Sequence, residues 1–343
     1  MRAVVTGPVR DLPRIALVHG PTPVVKRRGL DALTGVDLWI KRDDVTGGAE
    51  AGNKIRKLEW LLGDALARRA DTILTCGGLQ SNHARATALV CASLGLACVL
   101  FLRVEDPSRT PLPRDGNVLL DRMAGAEIRL VSHGEYAQRG AVMESAALAL
   151  RDQGRRPYVI PEGGSNGLGS LGYVECMREV AVQMSQGLAG GDAPFDVVVH
   201  ACGSGGTAAG IALGAARFHV AKSVRAMAVC DSAAYFERVI ARIVSESRSW
   251  DASLGDPAPL VVDAEAKGPA YAVSTPEQRD TIVRVTRASG LVLDPVYCGK
   301  AMHGLKAAVE RGDIASGARV LFVHTGGLPG LLAQGDAFGA ELA

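Results

Sequence analysis

A lysine stands where a predicted helix turns its apolar face inward. The stretch "AGNKIRKLEW" covers residues 51–60, and Lys54 precedes Leu58 by four residues and Leu61 by seven, so it projects along their apolar stripe. Lys57 is expected at the margin of that stripe or outside it. A lysine at the edge of a core can run its stem over apolar surface and keep its ammonium in water. A desolvated lysine instead loses its proton easily and becomes a nucleophile that can form a Schiff base.

A glycine-rich stretch, "ACGSGGTAAG" at 201–210, follows the β-rich run "DVVVH" and opens a helix of small residues. Glycines let backbone N–H groups approach an anion, and a helix N-terminus favours negative charge. Ser204 and Thr207 can add hydroxyl donors. No Gly-Lys-Ser/Thr follows, so this is not a Walker A loop, and Asp231 is not a persuasive ribose-binding acid for a dinucleotide. A single phosphate is the more economical ligand, and a tight turn without a ligand is the alternative.

A run of polar side chains follows the predicted strand 71–76. Gln80, Ser81, Asn82 and His83 are four consecutive hydrogen-bonding residues at the start of a predicted helix. Ser81 and Asn82 are good N-cap residues, so helix capping is one interpretation. The other is that these side chains, with the free N–H groups of the helix, bind a small carboxylate.

Three further stretches carry groups that suit a ligand. Thr325 precedes two glycines in "VHTGGLPG", so a flat ring could approach its hydroxyl. Tyr271 and Tyr297 stand in loops with Gly or Pro, where each could also cap a core with its hydroxyl in water. Residues 161–173, "PEGGSNGLGSLGY", form a plain loop, the wall of a pocket or a hinge. The sequence thus combines an interior lysine, a site for a phosphate, a site for a carboxylate and a strand end that a flat ring can approach. An amino acid joined to pyridoxal phosphate needs this set of features.

The composition indicates a globular protein without a charge-driven partner. The chain has 343 residues, 48% of them hydrophobic, and a net charge of +2, which speaks against nucleic-acid and membrane partners. Seven cysteines without a C-x-x-C pair are typical of a reduced cytosolic protein that has no metal site. Residues 1–21 lack the apolar run of a secretory signal, and no stretch approaches a transmembrane length. We therefore expect a cytoplasmic protein.

The predicted elements alternate between strands and helices, which is typical of α/β proteins with parallel sheets covered on both faces. The predicted strands are 38–41, 71–76, 98–103, 127–131, 157–161, 195–202, 225–230 and 320–325. The predicted helices are 54–69, 81–95, 137–152, 170–187, 207–217 and 298–311. Residues 246–262 are predicted to form an irregular connection. Ligands of such sheets bind beyond the carboxyl ends of the strands, where the polar and glycine-rich stretches fall.

Several long stretches, in the same order, resemble the pyridoxal-phosphate enzymes of the tryptophan synthase β fold type, and above all the D-cysteine desulfhydrase and 1-aminocyclopropane-1-carboxylate deaminase group. They are "IKRDDVTGGAEAGNKIRKLEWLLGDAL", "GGLQSNHARATA", "RPYVIPEGGSNGLGSLGYVE", "ACGSGGTAAGIALG", "LDPVYCGKAMHGL" and "LFVHTGGLPGL". The resemblance implies fold type II, with two open, twisted, mostly parallel sheets flanked by helices. It also implies a homodimer, a larger cofactor-binding domain from 1–56 and 164–343, and a smaller inserted domain at 57–163.

The resemblance also implies roles for single residues. Lys54 is the expected Schiff-base lysine, Asn82 the expected partner of the cofactor ring oxygen, and Thr325 the expected partner of the ring nitrogen. The residues expected at the phosphate are Gly203, Ser204, Gly205, Gly206 and Thr207. The residues expected at the substrate are Ser81, Asn82, His83, Tyr271 and Tyr297, of which Ser81 and the two tyrosines join Lys54 as expected catalytic residues.

Two departures from the deaminase pattern narrow the expected activity. The deaminases of this group place a glutamate for the pyridine nitrogen where this chain has Cys298, and they lack the threonine of "HTGG", here Thr325. A hydroxyl cannot hold a full positive charge on the ring as a carboxylate can, so the electron sink is weaker. Loss of a good leaving group from Cβ demands less of that sink than the opening of a cyclopropane ring. We therefore expect a lyase that acts on a small amino acid, D-cysteine, and releases sulfide, pyruvate and ammonia.

Alternatives stay open at this point. A sister lyase for cysteate or β-chloroalanine, or the cyclopropane deaminase that Cys298 disfavours, would use the same scaffold. A non-catalytic carrier of pyridoxal phosphate would need Lys54 and the glycine loop, but neither the two tyrosines nor "QSNH". A nucleotide-binding oxidoreductase is a further alternative, and the colour of the purified protein would separate it.

Overall fold

The computed structural model describes residues 12–342, and within them the chain forms ten strands and thirteen α-helices. The strands are β1 (Val24–Val25), β2 (Asp37–Arg42), β3 (Thr72–Gly78), β4 (Ala97–Arg103), β5 (Glu127–Val131), β6 (Pro157–Val159), β7 (Phe195–Cys202), β8 (Ala221–Ala228), β9 (Leu260–Asp263) and β10 (Arg319–His324). The helices are α1 (Leu30–Thr34), α2 (Asn53–Ala67), α3 (Asn82–Ser93), α4 (Gly116–Met123), α5 (His133–Ala137), α6 (Arg139–Asp152), α7 (Gly167–Ser185), α8 (Gly206–Arg217), α9 (Ala233–Trp250), α10 (Pro276–Ser289), α11 (Cys298–Glu310), α12 (Leu328–Leu332) and α13 (Gly339–Leu342). Residues 1–11, which belong to the segment where no secretory signal is predicted, lie outside the described residues.

Two sheets organise the fold. The larger sheet has the order β1-β2-β10-β7-β8-β9 and is parallel apart from the β1–β2 pair. The smaller sheet has the order β5-β4-β3-β6 and is parallel throughout. Continuous apolar runs produce these strands, since β3 and most of β7 are buried along their length. The predicted α/β class with two mostly parallel sheets is confirmed.

The stretch 246–262 departs from the predicted irregular connection. Helix α9 continues to Trp250, and β9 adds an edge strand to the larger sheet. Phe236, Ile240 and Ile243 are buried at helical spacing, while most of the remaining face of α9 is polar and exposed. The polar sequence "ESRSW" is therefore the end of an amphipathic helix, not a loop.

Helix α2, which carries Lys54, is anchored from behind by a buried ion pair. Arg56 donates hydrogen bonds from Nε and Nη2 to the Asp43 carboxylate at 2.7 and 2.8 Å. Asp43 also accepts a hydrogen bond of 2.8 Å from the Tyr173 hydroxyl. Burial by itself raises the pKa of Asp43, but Arg56 outweighs it and lowers the pKa to about 2. A pair of this kind fixes geometry more than it adds stability, and here it fixes the first turn of α2.

Candidate active site

A cavity of about 1110 Å³ lies beyond the carboxyl ends of strands from both sheets. The ends of β3, β4 and β7 contribute to its wall, together with the starts of α2 and α3. The predicted site residues that line it are Lys54, Ser81, Asn82, His83, Gly203, Ser204, Gly205, Thr207, Tyr271, Tyr297 and Thr325. Gly206 is buried behind this wall at the start of α8. Stretches that are far apart in the sequence therefore meet at one place.

Lys54 enters the cavity from the first turn of α2. The preceding Gly52 has φ +130°, and a Cβ there would lie 3.0 Å from the Thr325 carbonyl oxygen, so the close approach requires glycine. The Asn53 N–H donates to the same oxygen at 3.1 Å, which joins the start of α2 to the end of β10. Burial lowers the pKa of Lys54 to about 8, against an opposing effect of Glu162. An amine with this pKa is partly neutral near physiological pH and can act as a nucleophile or a base.

Lys57 is buried more deeply than the sequence predicts. It is 1% exposed, and its Nζ donates to the Gly163 carbonyl at 3.1 Å and to the Ser165 hydroxyl at 3.0 Å. Burial, followed by the positive charge of Lys54, lowers the pKa of Lys57 well below its usual value. The expectation that Lys57 lies at the margin of the buried stripe or outside it is wrong, because the segment around Gly163 covers this face of the helix.

The glycine loop between β7 and α8 brings several hydroxyl groups together. Ser204 Oγ and Ser165 Oγ are 2.8 Å apart, and Ser165 Oγ also accepts from the Gly206 N–H at 3.3 Å. A Cβ at Gly206 would lie 2.7 Å from Ser165 Oγ and 2.9 Å from Lys57 Nζ. On the other side, the Asn53 side chain donates to the Thr207 hydroxyl at 3.1 Å. Hydroxyl donors at the N-terminus of a helix, with a lysine behind them, suit a phosphate.

Ser81 caps helix α3, as one interpretation of the polar run predicts. Its Oγ accepts a hydrogen bond of 3.2 Å from the Ala84 N–H, and the residue still lines the cavity. Gln80 turns away from the cavity: its Oε1 accepts from the Asn117 N–H at 2.7 Å, and its Nε2 donates to Asp115 at 3.1 Å. The proposed carboxylate cradle therefore loses Gln80 and keeps the residues that follow it.

Asn82 and His83 complete this part of the wall. Asn82 Oδ1 is buried and has no hydrogen-bond partner among the described residues. His83 is held by a contact of 2.8 Å between Nε2 and the Thr75 hydroxyl. Burial, and then the positive charges of Lys54 and Lys57, lower the pKa of His83 well below its usual value, so the imidazole is neutral. A neutral imidazole offers hydrogen bonds and no charge at this wall.

The two predicted tyrosines form a hydrogen-bonded pair. Their hydroxyl oxygens lie 2.7 Å apart. The Tyr271 ring rests on Gly78, where a Cβ would be 2.8 Å from Cε1, and the Tyr297 ring rests on Gly203 in the same way at 3.0 Å. Asp294 fixes the second ring by accepting the Tyr297 N–H at 2.8 Å. Burial raises the pKa of Tyr271 to about 12 and that of Tyr297 well above its usual value, so both hydroxyls keep their protons at neutral pH.

Thr325 presents a hydroxyl where the last strand reaches the cavity. Its Oγ1 lies 3.2 Å from Cys298 Sγ, and Cys298 is fully buried behind it. Burial raises the pKa of Cys298 well above its usual value, so this residue is a neutral thiol. Gly326 and Gly327 follow with φ +87° and +117° and turn the chain away. This wall of the cavity therefore carries an uncharged pair and not a carboxylate.

The arrangement fits the expected pyridoxal phosphate. Lys54 supplies an amine for an aldehyde, the hydroxyls around Ser204 suit a phosphate, and the buried oxygen of Asn82 lacks a protein partner. Within residues 12–342, no cluster of three or more His, Cys, Asp or Glu side chains could hold a metal ion. In the same range, no helix is both long enough and apolar enough to cross a membrane.

Some wall residues were missed by the sequence analysis. Glu162 accepts from the Tyr136 hydroxyl at 2.6 Å and pairs with Arg139 at 3.1 Å. Glu162 and Ser165 belong to the stretch 161–173, for which a pocket wall is one of the three predicted roles. Arg103 could have been found by the rule that strand ends carry site residues, because it ends β4. Tyr136 and Arg139 carry no such signal, because they lie in helices α5 and α6 and not at the end of a strand.

Comparisons with known proteins agree with this geometry. The family model described as "Pyridoxal-phosphate dependent enzyme" matches residues 15–326. A bifunctional D-cysteine desulfhydrase/1-aminocyclopropane-1-carboxylate deaminase of Arabidopsis thaliana is 41% identical and aligns over 96% of this chain and 82% of its own length. A D-cysteine desulfhydrase of Yersinia pestis is 40% identical over 94% of this chain and 96% of its own. A crystal structure of an "ACC deaminase homologue" superposes with a TM-score of 0.86 at 35% identity, over 96% of this chain and 97% of the other. The chain therefore belongs to the pyridoxal-phosphate dependent enzyme family, with the type II fold and pyridoxal phosphate as its cofactor.

Proposed function

We propose that this protein is a D-cysteine desulfhydrase, a lyase that eliminates hydrogen sulfide from D-cysteine to give aminoacrylate, which water hydrolyses to pyruvate and ammonia. The observation that carries the proposal is the uncharged wall formed by Thr325 and Cys298, whose Oγ1 and Sγ are 3.2 Å apart. The two carboxylates that line the cavity, Glu162 and Asp231, are bonded elsewhere, to Tyr136 and to the thiol of Cys230. Relatives carry the names of both activities, so this wall is what favours the desulfhydrase.

We assign the cofactor to the residues that converge around Lys54. Lys54 Nζ would hold its aldehyde carbon, and Asn82 its ring oxygen. The phosphate would lie in the glycine loop from Gly203 to Thr207, with Ser165 and Lys57 added to the predicted set because their side chains meet at that loop. Thr325 would face the ring nitrogen. When bound, pyridoxal phosphate supplies the electron sink that stabilises negative charge at Cα.

Lys54 is the proposed base at Cα. Burial lowers the pKa of Lys54 to about 8, so part of the amine is neutral near physiological pH, as a general base requires. Its position on α2 is rigid, because the buried pair of Arg56 and Asp43 holds the helix from behind. A base held on one side removes the proton from one face of Cα, which gives preference for one enantiomer.

The tyrosine pair is the proposed acid for the leaving group. Burial keeps both hydroxyls protonated. One of them donates its hydrogen bond to the other tyrosine, and the hydroxyl that accepts this bond keeps its own proton for the departing sulfur. Ser81 and His83, with the N–H groups of the α3 start, would bind the substrate carboxylate. The reaction thus removes a proton on the Lys54 side and returns one on the tyrosine side.

The test is a product assay with five substrates under one set of conditions. Pyruvate should form readily from D-cysteine and β-chloro-D-alanine, and slowly from L-cysteine. 1-Aminocyclopropane-1-carboxylate should give little 2-oxobutyrate, because its ring opening requires a charge on the pyridine nitrogen that Thr325 does not stabilise. Cysteate measures the sister activity. A deaminase rate equal to the D-cysteine rate would assign the chain to the other branch of the group.

Assembly, domain division and compartment remain proposals. We infer a homodimer, a cytoplasmic location, and a smaller domain at 57–163 inserted in a larger one made of 1–56 and 164–343. The domain division is supported by the smaller sheet, since all four of its strands come from the segment between Thr72 and Val159. Light scattering of the purified protein tests the dimer, and limited proteolysis near the two proposed boundaries tests the division.

A further inference from the structure

Arg103 is a charged group of the cavity wall to which the proposed reaction gives no role. It ends strand β4 and is the register partner of Gly78, the residue on which the Tyr271 ring rests. Its guanidinium carbon lies 4.8 Å from the centroid of the Tyr136 ring and 5.5 Å from that of Tyr271. Two aromatic rings therefore hold this cation beside the tyrosine pair.

The other arginines of the wall have carboxylate partners. Arg139 pairs with Glu162 at 3.1 Å, and Arg242 pairs with Glu246. Within residues 12–342, no carboxylate oxygen lies within 4.0 Å of the Arg103 guanidinium nitrogens. A guanidinium keeps its charge at any physiological pH. Arg103 thus brings to the cavity a permanent positive charge that forms no ion pair with a carboxylate of the described residues.

The position of Arg103 relates this charge to one end of the substrate. The substrate carboxylate is assigned to the start of α3 at Ser81, and the substituent on Cβ is assigned to the hydroxyls of Tyr271 and Tyr297. A group that extends from Cβ past the tyrosine hydroxyls comes towards the guanidinium, because Arg103 lines the same cavity and lies against the Tyr271 ring, which rests on Gly78 at the end of the neighbouring strand β3.

We infer that Arg103 determines specificity by binding a negatively charged substituent on the substrate Cβ. An amino acid with an anionic β-substituent, such as a thiolate or a sulfonate, should then bind more tightly than one with a neutral substituent of similar size. This inference rests on the proposed function, because that function sets the direction in which the substrate lies. A guanidinium is suited to both groups, since its hydrogen bonds to anions are charge-assisted.

Calorimetric titration with D-aspartate and D-asparagine tests this role without turnover. The two amino acids have nearly the same shape and differ in the charge of the group on Cβ. The cofactor-loaded protein is titrated as wild type, Arg103→Met, Arg103→Gln and Arg103→Lys. Arg129→Met is the matched control, because Arg129 also stacks on an aromatic ring, Phe101, but does not line the cavity.

We expect wild type to bind D-aspartate roughly tenfold more tightly than D-asparagine, as one charge-assisted contact would provide. The ratio should fall towards one in Arg103→Met and Arg103→Gln, and stay near the wild-type value in Arg103→Lys and Arg129→Met. Equal affinities in wild type would overturn the inference without any variant, as would an unchanged ratio in a folded neutral variant. Failure of the proposed function would show differently, as absence of pyruvate from D-cysteine, and would leave the binding ratio measurable.

Discussion

Replacement of Lys57 by methionine should weaken cofactor binding while the apo protein stays folded. Lys57 is 1% exposed, and its Nζ donates to Gly163 and Ser165 at 3.1 and 3.0 Å. In the apo protein, burial disfavours the charged form of Lys57. The Lys57→Met variant loses two hydrogen bonds, but it also avoids the cost of burying that charge. We expect the free energy of unfolding of the apo protein to change by about 1 kcal/mol at most. A bound phosphate dianion favours the charged lysine again, and a charge-assisted hydrogen bond contributes about 1.5–3 kcal/mol.

That contribution corresponds to a Kd for pyridoxal phosphate that is about 10- to 150-fold higher in Lys57→Met, because about 1.4 kcal/mol is a factor of ten. Absorbance titration of the apo protein measures it. Pyridoxal, which lacks the phosphate, provides the second arm and should bind both proteins equally well. Lys222→Met is the control, since Lys222 is an exposed lysine that pairs with Asp196 on the surface. A Kd within threefold of wild type, or an equal loss for pyridoxal, would refute the assignment of Lys57 to the phosphate.

Three further predictions concern residues around the proposed cofactor. Borohydride reduction of the cofactor-loaded protein, followed by peptide mapping, should find the label on Lys54, and a label on another lysine would contradict this assignment. Cofactor attachment should become faster as the pH rises through about 8, because the neutral, reactive amine predominates above the pKa of Lys54. Thr325→Val should keep the cofactor and lose about fivefold in kcat for D-cysteine, the value of about 1 kcal/mol for one hydrogen bond, whereas an unchanged rate would mean that the ring has another partner. Gly163→Ala should destabilise the protein by about 1–3 kcal/mol in thermal unfolding, since its Cβ would lie 2.4 Å from Ser204 Oγ at φ +65°; an unchanged Tm would show that the loop can yield.

The sheets were accessible from the sequence because their central strands, such as β3 and β7, are buried on both faces. A strand such as β7 is marked by a short apolar run with three consecutive valines, which ends at a glycine-rich turn. Helices were harder where polar residues dominate. Helix α10 was not predicted, although a capping box at Thr275 and Gln278 marks its start, because much of its surface is polar. Local composition describes the solvent-facing side of such helices better than their buried side.

The proposed site was only partly accessible for a different reason. Lys54 and the glycine loop stand in local patterns that resemble a known family, so their roles could be predicted before their geometry. Lys57 could not be placed, because its burial depends on a loop around Gly163 that is distant in the sequence. Gln80 was included wrongly, because the direction of its side chain depends on Asn117. Contacts between segments that are distant in the sequence determine the burial of Lys57 and the direction of Gln80, and no local sequence pattern indicates these contacts.

The central place of β10 in the larger sheet affects the order in which the nascent chain can fold. Strand β10 lies between β2 and β7, yet it follows the nine other strands of the described residues in the sequence, whereas the four strands of the smaller sheet come from one continuous segment. The smaller sheet can therefore assemble on the ribosome, while β2 and β7 keep unpaired edges until release of the C-terminal region. We expect chains that end before β10 to aggregate, which sedimentation of truncated translation products would reveal. Because the Thr325 carbonyl accepts the Asn53 N–H at the start of α2, we expect Lys54 to reach its final position only after β10 has been synthesised.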